Sequence, residues 1–421
     1  MNPLEHTGMR ITQNHFTTGV FFLTFMVMAW APFFGGPRLF SFLLALVGIG
    51  LLWKQRDTIW QQPGVRRLAI IFLLLGIPIL ISLPGSYDFK GTLVVAGLLA
   101  LFFPMGVTLV RVFRHTQLRE RLTLWIAILV SLWIVDGLIQ FIFGRDLLGI
   151  PTYEARRVVG IFGDNTHFGV YLGTLTPLLA LTLLTRSRLL TATIIILTAV
   201  VVALTGIRHA WVMFILACVL LFFTYPFRHR VLALGTAAGI LCLAIAVSFS
   251  PIVKSKLDQT FSGFEWSYEG IDRALSRRLQ LWDTAIYMAN AHPLTGVGVQ
   301  AFRDAYQQYE REPSPYKKSI GGRVNHAHHA YFSVLAESGY TGILGLLAIW
   351  VLLLRWYFSN VRAQRRPALP YAMSLLVAMF PLNSQPILYS GWWFPVLLLL
   401  TALMLAALDD QLSAEDINSQ T

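Results

Sequence analysis

Residues 122–143 read LTLWIAILVSLWIVDGLIQFIF and contain one charged residue, Asp136. An apolar run of this length is long enough to cross the ~30 Å hydrocarbon core of a membrane as an α-helix. Similar runs recur along the whole chain of 421 residues, which is 56% hydrophobic and only 13% charged. Soluble globular proteins carry about 25% charged residues. The composition therefore predicts a polytopic integral membrane protein of the all-α class and excludes an ordinary soluble enzyme fold.

The apolar runs predict about twelve transmembrane helices. They lie near residues 16–34, 39–53, 68–83, 93–110, 122–143, 167–185, 189–205, 210–225, 231–249, 330–354, 369–382 and 392–408. The second and eleventh are the weakest, since one is short and the other contains Pro381. The chain is thus expected to divide into a membrane domain (1–249), a partly helical outer loop domain (250–329) between spans 9 and 10, a second membrane domain (330–408) and a tail (409–421).

Basic residues indicate how these spans are oriented. Of the 33 Lys and Arg residues, 17 lie in the N-terminal segment and in the loops after spans 2, 4, 6, 8 and 10. Six lie in the short loops of the opposite side, and the other ten lie in the long segment 250–329. Because cytoplasmic loops retain the positive excess, both termini are expected in the cytoplasm and the long segment outside. The net charge of +12 is therefore assigned to topology and not to nucleic-acid binding.

Three histidines, His326, His328 and His329, stand where the long outer segment meets the tenth span. A zinc site would need ligands at regular spacing or a nearby carboxylate, and the next acid downstream is Glu337. A neutral imidazole can instead take a proton from a hydroxyl group. On the residues alone, a general base and a set of histidines that bond only to the loop backbone are about equally supported.

Arg208 occupies a tight outer turn between two apolar spans. A guanidinium at the hydrocarbon edge is costly unless it meets an anion, and its planar fork suits a phosphate group. The alternative is an arginine that reaches the lipid headgroups.

An amphipathic helix is predicted over residues 275–290 of the outer segment, with Arg277 and Arg278 near its start. Adjacent residues of a helix point about 100° apart, so only one of the two arginines can face inward. Trp282, one turn after Arg278, could stack on a sugar or anchor the helix at the membrane surface. In isolation, a helix lying on anionic lipid is the better interpretation.

The turn before the sixth span offers Arg157 and Asn165 as further polar groups at the membrane edge. Glycines in this turn most often only shape it. Inside the fifth span, Asp136 and Gln140 lie one helical turn apart, and an intramembrane acid is a functional hypothesis unless it only packs helices together.

This set of residues suits one kind of chemistry. The sequence holds no nucleotide-binding loop, no paired acids for a metal-bound sugar nucleotide and no nucleophile elbow. A synthetic reaction outside the cytoplasmic membrane needs a donor that is already activated, such as a lipid-linked pyrophosphate. Arginines for the pyrophosphate and a histidine for the acceptor hydroxyl would be enough for such a transfer.

The order and spacing of these residues resemble the O-antigen ligase and polymerase superfamily of bacterial envelopes. The resemblance rests on six segments: 160–165 (GIFGDN), 205–211 (TGIRHAW), 278–282 (RLQLW), 292–298 (HPLTGVG), 326–331 (HAHHAY) and 337–342 (ESGYTG). It implies that His328 is the base with His326 beside it, and that Arg208, Arg278 and, more weakly, Arg157 hold pyrophosphate. The family usually has Asn where this chain has His329, which leaves the choice between His328 and His329 open.

The resemblance also implies partners, a location and a reaction. The expected donor is an undecaprenyl-pyrophosphate-linked O-antigen, the expected acceptor is the lipid A core oligosaccharide, and membrane lipids surround the protein. The expected site faces the periplasm from the bacterial inner membrane and uses no metal and no cofactor. An O-antigen ligase is favoured. The alternatives are an O-antigen polymerase, a protein O-oligosaccharyltransferase and, from another class, a lipid-linked glycan transporter.

Overall fold

The computed structural model describes residues 3–33, 36–154, 156–163, 167–224, 241, 245, 251–311, 317, 322–381 and 388–409. Within these residues the protein is helical, and β-structure is limited to two isolated bridges, Arg145 with Pro151 and Tyr153 with Arg157. The all-α class predicted from composition is confirmed for the described part of the chain.

Fifteen α-helices form from the described residues. Eight precede the outer segment: α1 (Pro3–Ala29), α2 (Gly36–Lys54), α3 (Pro63–Ser82), α4 (Phe89–Phe113), α5 (Thr116–Phe143), α6 (Phe168–Leu184), α7 (Arg188–Leu204) and α8 (Arg208–Thr224). Four short ones lie in it: α9 (Pro251–Phe261), α10 (Tyr268–Ala274), α11 (Leu279–Ala291) and α12 (Phe302–Tyr309). The last three are α13 (Ala330–Ser359), α14 (Arg362–Ala378) and α15 (Phe394–Leu408).

Five of these helices are long and apolar enough to cross a membrane. They cover Pro37–Lys54, Pro63–Ser82, Phe89–Phe113, Thr116–Phe143 and Ala330–Ser359. Shorter apolar helices cover His15–Ala29, Phe168–Leu184, Arg188–Leu204, Arg208–Thr224 and Phe394–Leu408. The protein is thus a multi-pass membrane protein. Twelve spans stay a prediction, and the ninth predicted span lies almost entirely outside the described residues.

The helix α6 lies at the centre of the bundle. Every residue of α6 except Thr182 and Leu184 is buried, and α6 packs against α5, α7, α8 and α14. The helix α15 is buried over nearly its whole length and packs against α14 and α4. Helices at the periphery of the bundle, such as α3, instead expose large apolar side chains, Leu73 and Leu80 among them, as expected for a surface that faces lipid.

Two predicted helices have different limits in the structure. The eleventh span was expected at 369–382, but α14 begins at Arg362 and ends at Ala378, before Pro381. Because proline disfavours the helical conformation in the residue before it, an end at this point is the physical expectation. The outer amphipathic helix was expected from residue 275, but α11 begins at Leu279. Ser276 and Arg277 have φ angles of 62° and 59°, which an α-helix cannot contain.

The outer segment has an apolar core of its own. Side chains of α11 and α12, with Val297, Val324, Ala327 and Ala336 around them, form a buried cluster separate from that of the bundle. The segment is attached to the bundle at the turn between α3 and α4, where the Tyr87 amide donates to the Val297 carbonyl at 2.9 Å. The Thr92 hydroxyl donates to the Val299 carbonyl at 2.8 Å. These bonds hold the outer segment against one end of the helix bundle.

Candidate functional site

The turn between α7 and α8 carries Arg208 at its end. Gly206 has a φ of 64°, so the chain reverses through a left-handed residue before α8 starts. The Arg208 guanidinium donates to the Ala274 carbonyl at 2.6 Å and to the Thr260 hydroxyl at 3.2 Å, and it also bonds to the Ser276 hydroxyl. All three acceptors belong to the outer segment. Arg208 therefore joins the bundle to that segment.

Arg278 and Arg277 lie in the turn that leads into α11, and the structure separates them. The carboxylate of the buried Asp272 accepts the amide of Leu279 at 3.1 Å, and the Arg277 amide donates to the Asp272 carbonyl. Arg278 is half-buried and lies within electrostatic range of Arg208. The Arg277 side chain is exposed. Of the two candidate arginines, Arg278 is the one that the fold brings close to Arg208.

The histidine segment, residues 326–329, lies within electrostatic range of Arg278. The rings of His326 and His328 are 3.9 Å apart between centroids, and His328 has a φ of 51°. Left-handed backbone in a non-glycine residue costs of order 1–3 kcal/mol and concentrates at functional sites. Burial, with a smaller effect from His326 and Arg278, lowers the pKa of His328 to about 2. Burial and Arg278 lower the pKa of His326 to about 4. Both imidazoles are therefore neutral at pH 7.

His329 has a structural task that sequence reasoning did not identify. It is the N-cap of α13, and its Nδ1 accepts the amide of Phe332 at 3.4 Å. The ring also bonds to the backbone of Pro381, and burial lowers its pKa to about 4. Asn is among the best N-cap residues. The cap explains how His329 and the Asn that is usual in the resembled family can fill the same position.

Trp282 fixes the histidine segment from the side. Its indole Nε1 donates to the Ala327 carbonyl at 3.1 Å, and its ring meets His329 edge-on at 5.3 Å. One face of the indole stacks on Phe332 at 5.2 Å. The tryptophan therefore offers at most its other face to a ligand.

A single glutamine holds the loop that carries Arg157. The Gln140 side-chain oxygen accepts the amides of Val159 and Gly160, both at 2.8 Å, and its nitrogen donates to the carbonyls of Ile150 and Pro151. Arg157 Nε in turn donates to the Thr205 carbonyl at 2.9 Å, in the turn before Arg208. Gln140, proposed with Asp136 as a functional pair, thus orders the loop backbone.

Asp136 also serves this loop. Its carboxylate accepts the amide of Leu147 at 2.9 Å, which ties the end of α5 to the loop that follows. Asn165, the other predicted polar group of this turn, lies outside the described residues.

Lys256 and His209 also belong to the cluster. His209 lies in the segment 205–211 quoted above, whereas no pattern in the sequence singled out Lys256. Lys256 of α9 is half-buried, and its pKa is lowered by burial and then by Arg208, Arg157 and Arg278. His209 follows Arg208 and lies near His328. Lys256 stands in a polar helix without a distinctive motif, so only the fold reveals its position.

Two of the segments quoted in the resemblance pack closely against each other next to this cluster. The segments 292–298 and 337–342 meet backbone to backbone, with the Tyr340 amide on the Pro293 carbonyl at 2.8 Å. Gly339 breaks α13 with a φ of 63°, and a Cβ there would lie 2.4 Å from the Pro293 carbonyl oxygen. A Cβ on Gly296 would lie 2.4 Å from the Glu337 carbonyl carbon. The glycines of both segments are therefore required for close packing.

Together these residues form a cationic site beside neutral imidazoles. Arg157, Arg208, Lys256 and Arg278 come from four separate stretches of the chain and influence one another electrostatically. Such a set can bind a polyanion such as a pyrophosphate group, while a neutral imidazole beside it can accept a proton. No group of three or more His, Cys, Asp or Glu side chains within the described ranges is placed to hold a metal ion.

Comparison with known proteins finds a family match over the part of the chain that carries this site. A search of the curated proteins gives no match. Residues 192–347 match the protein family described as O-antigen ligase, and this range contains Arg208, Arg278 and all three candidate histidines. Over residues 192–347 the chain is therefore similar to the O-antigen ligase family.

Proposed function

We propose that this protein is an O-antigen ligase that moves O-antigen glycan from undecaprenyl pyrophosphate to the lipid A core oligosaccharide on the periplasmic face of the inner membrane. The observation that carries the proposal is that Arg278 lies within electrostatic range of both the His326–His328 pair and Arg208 at one end of the bundle. The reaction needs no metal ion in this scheme, because protein cations and a protein base supply both functions.

The donor pyrophosphate lies against Arg208 and Arg278, with Arg157 and Lys256 completing the positive site. Arg277 belongs to this set only as a more distant charge, because its side chain is exposed. A guanidinium provides several donors in a fixed fork, which suits phosphate oxygens. As the bond between the anomeric carbon and the phosphate oxygen breaks, its electron pair moves to the pyrophosphate, and these cations stabilise the charge that accumulates there.

His328 is the general base of the proposed reaction. It takes the proton of the acceptor hydroxyl while the hydroxyl oxygen forms the new bond to the anomeric carbon, so transfer proceeds with inversion and without a covalent enzyme intermediate. His329 is less suited to the role, because its ring caps α13 and bonds to the Pro381 backbone. Trp282 and Asn165 are assigned to sugar contacts, with Trp282 offering its uncovered face.

Donor binding strengthens this base. With no anion bound, burial and the Arg278 charge keep the pKa of His328 at about 2, far below the value near the working pH that general-base catalysis favours. A pyrophosphate paired with Arg278 offsets the repulsion between that cation and a protonated imidazole, which is a smaller part of the pKa shift than burial. Donor binding should therefore raise the pKa of His328 and favour its action as a base.

The deciding experiment is a lipopolysaccharide gel of the source organism with this gene deleted, together with analysis of the glycan that stays on the lipid carrier. Bare core with long polymer retained on the carrier is the result expected for a ligase. Core with a single repeat would identify a polymerase. An unchanged ladder would contradict both, and would direct the search to protein O-glycosylation or to transport of the lipid-linked glycan.

A further inference from the structure

A second candidate site lies at the opposite end of the helix bundle. It is a cavity of about 1090 Å³ between the start of α5, the ends of α6, α8 and α13, and the start of α14. The helices α6 and α8 begin beside the cationic site and end at this cavity, and at 1.5 Å per residue their 17 residues separate the two by about 25 Å. The cavity therefore takes no part in the transfer site described above.

Arginines dominate the polar part of the cavity lining. Arg119, Arg186, Arg362, Arg365 and Arg366 line it, against one acid, Glu120. Arg119 is buried and donates to the carbonyls of Phe113 and Arg114, so it helps to hold the fold. The other four arginines form no ion pair with any residue that the structure describes. Arg365 Nε is buried there without a hydrogen-bond partner among those residues. This excess of positive charge favours the binding of an anion in the cavity.

The rest of the lining is apolar and leads to the side of the bundle. Leu181, Leu220, Leu353, Leu375 and Met404 form the inner wall. Leu354 and Phe358 line the cavity and are also 41% and 64% exposed on the outer surface of α13. Large apolar side chains exposed on a membrane-spanning helix face lipid, so the cavity opens sideways toward the hydrocarbon region. Its volume exceeds the roughly 300–1,000 Å³ of usual small-molecule sites.

We propose that this cavity is a binding site for an anionic phospholipid of the adjacent membrane leaflet. The lipid phosphate lies among Arg362, Arg365 and Arg366, and an acyl chain follows the leucine wall out between Leu354 and Phe358. All five lining arginines are among the basic residues that charge asymmetry assigns to the cytoplasmic side, where the leaflet surface is negative. A lipid at this position bridges α13 and α14 to α6 and α8, the helices that support Arg208 and the histidine segment.

Native mass spectrometry of the full chain in detergent tests this assignment with two probes, phosphatidylglycerol and phosphatidylcholine, which share acyl chains and differ in net charge. We expect the wild-type protein to retain phosphatidylglycerol preferentially. The double variant Arg365→Gln/Arg366→Gln should bind it about 30-fold more weakly, since each basic residue near an anionic headgroup contributes about a factor of five. The matched control is Lys54→Gln/Arg56→Gln, which removes two exposed charges outside the cavity and should bind like the wild type.

Three results would overturn the proposal, and none depends on glycan transfer. Equal retention of the two lipids by the wild-type protein would remove the role of charge. Equal loss of binding in both double variants would place the lipid elsewhere. Displacement of the lipid by millimolar inorganic phosphate would indicate a site for free phosphate. If the arginine variant does not fold, the wild-type protein still decides, because phosphatidylglycerol but not phosphatidylcholine should raise its Tm with concentration.

Discussion

Replacement of Ser276 by glycine tests the link between the bundle and the outer segment. The Ser276 hydroxyl is one of three acceptors of Arg208, and Ser276 has a φ of 62°. Glycine adopts this φ without the cost of about 1 kcal/mol that other residues incur, and its greater freedom in the unfolded chain offsets a similar amount. The backbone change is therefore close to neutral, and the free energy of unfolding should fall by about 1.5 kcal/mol, the contribution of the lost bond to Arg208.

Activity should fall together with stability. A hydrogen bond to a charged group contributes about 1.5–3 kcal/mol, and Arg208 keeps its two other acceptors, so the lower figure applies. A loss of about 1.5 kcal/mol corresponds to about a 10-fold fall in kcat/KM. The fall should come mainly from a higher KM for the donor, because Arg208 is assigned to the pyrophosphate and not to the acceptor.

The assay is glycan transfer by the purified protein from a lipid-linked donor to lipid A core, with donor and acceptor varied in turn. Gln300→Gly is the matched control, because Gln300 has a φ of 69°, its side chain is exposed and it is not among the acceptors of Arg208. An unchanged kcat/KM in the Ser276 variant would refute the role given to this bond. An equal fall in the Gln300 variant would do the same.

Three other predictions address the remaining parts of the site. His328→Ala should abolish transfer and leave donor binding nearly intact, whereas Arg278→Ala should also weaken donor binding; a fully active His328 variant in the same assay would contradict the proposed base. His329→Asn keeps the cap on α13 and removes an imidazole. In the folded protein this imidazole stays neutral down to about pH 4, whereas in the unfolded chain it is protonated below about pH 6.5. Because the unfolded state binds more protons over that range, acid destabilises the folded protein, and the difference in Tm between pH 7 and pH 5 should be smaller in the variant than in the wild type. Gly339→Ala places a Cβ 2.4 Å from the Pro293 oxygen in a left-handed residue and should lower stability by more than about 2 kcal/mol, while Gly85→Ala, which has open space around it, should be close to neutral; thermal unfolding of both variants checks this.

Apolar length and charge asymmetry were sufficient to predict the helical class, because a helix in lipid must satisfy its backbone internally whatever its partners are. The same local rules located Arg208 and the histidines as polar groups at span ends, and Arg278 near the start of an amphipathic helix of the outer segment. They failed where tertiary contacts decide. The Arg208 bond to Ser276 joins residues 68 positions apart, and the left-handed pair Ser276–Arg277 delays α11 by four residues relative to its amphipathic pattern.

The sequence also does not reveal which polar side chains bond to the backbone of a distant loop. Gln140 is a polar residue within an apolar helix, and its pattern fits proton transfer, helix packing or loop support equally well. Only the positions of the Val159 and Gly160 amides show which of these it does. Lys256 is similar, because a lysine in a short polar helix carries no sign that it will face three arginines.

The way in which Arg208 is held has a consequence for turnover. Its three acceptors are a carbonyl and two hydroxyl groups, so the guanidinium is oriented by uncharged oxygens and keeps its full charge for the substrate. The same charge acts on the product of the proposed reaction, in which undecaprenyl pyrophosphate carries more exposed negative charge after the glycan has left than before. The spent carrier should therefore bind more tightly than the loaded one. Its departure should limit the steady-state rate, so that a rapid first turnover is followed by a slower phase that accelerates with ionic strength.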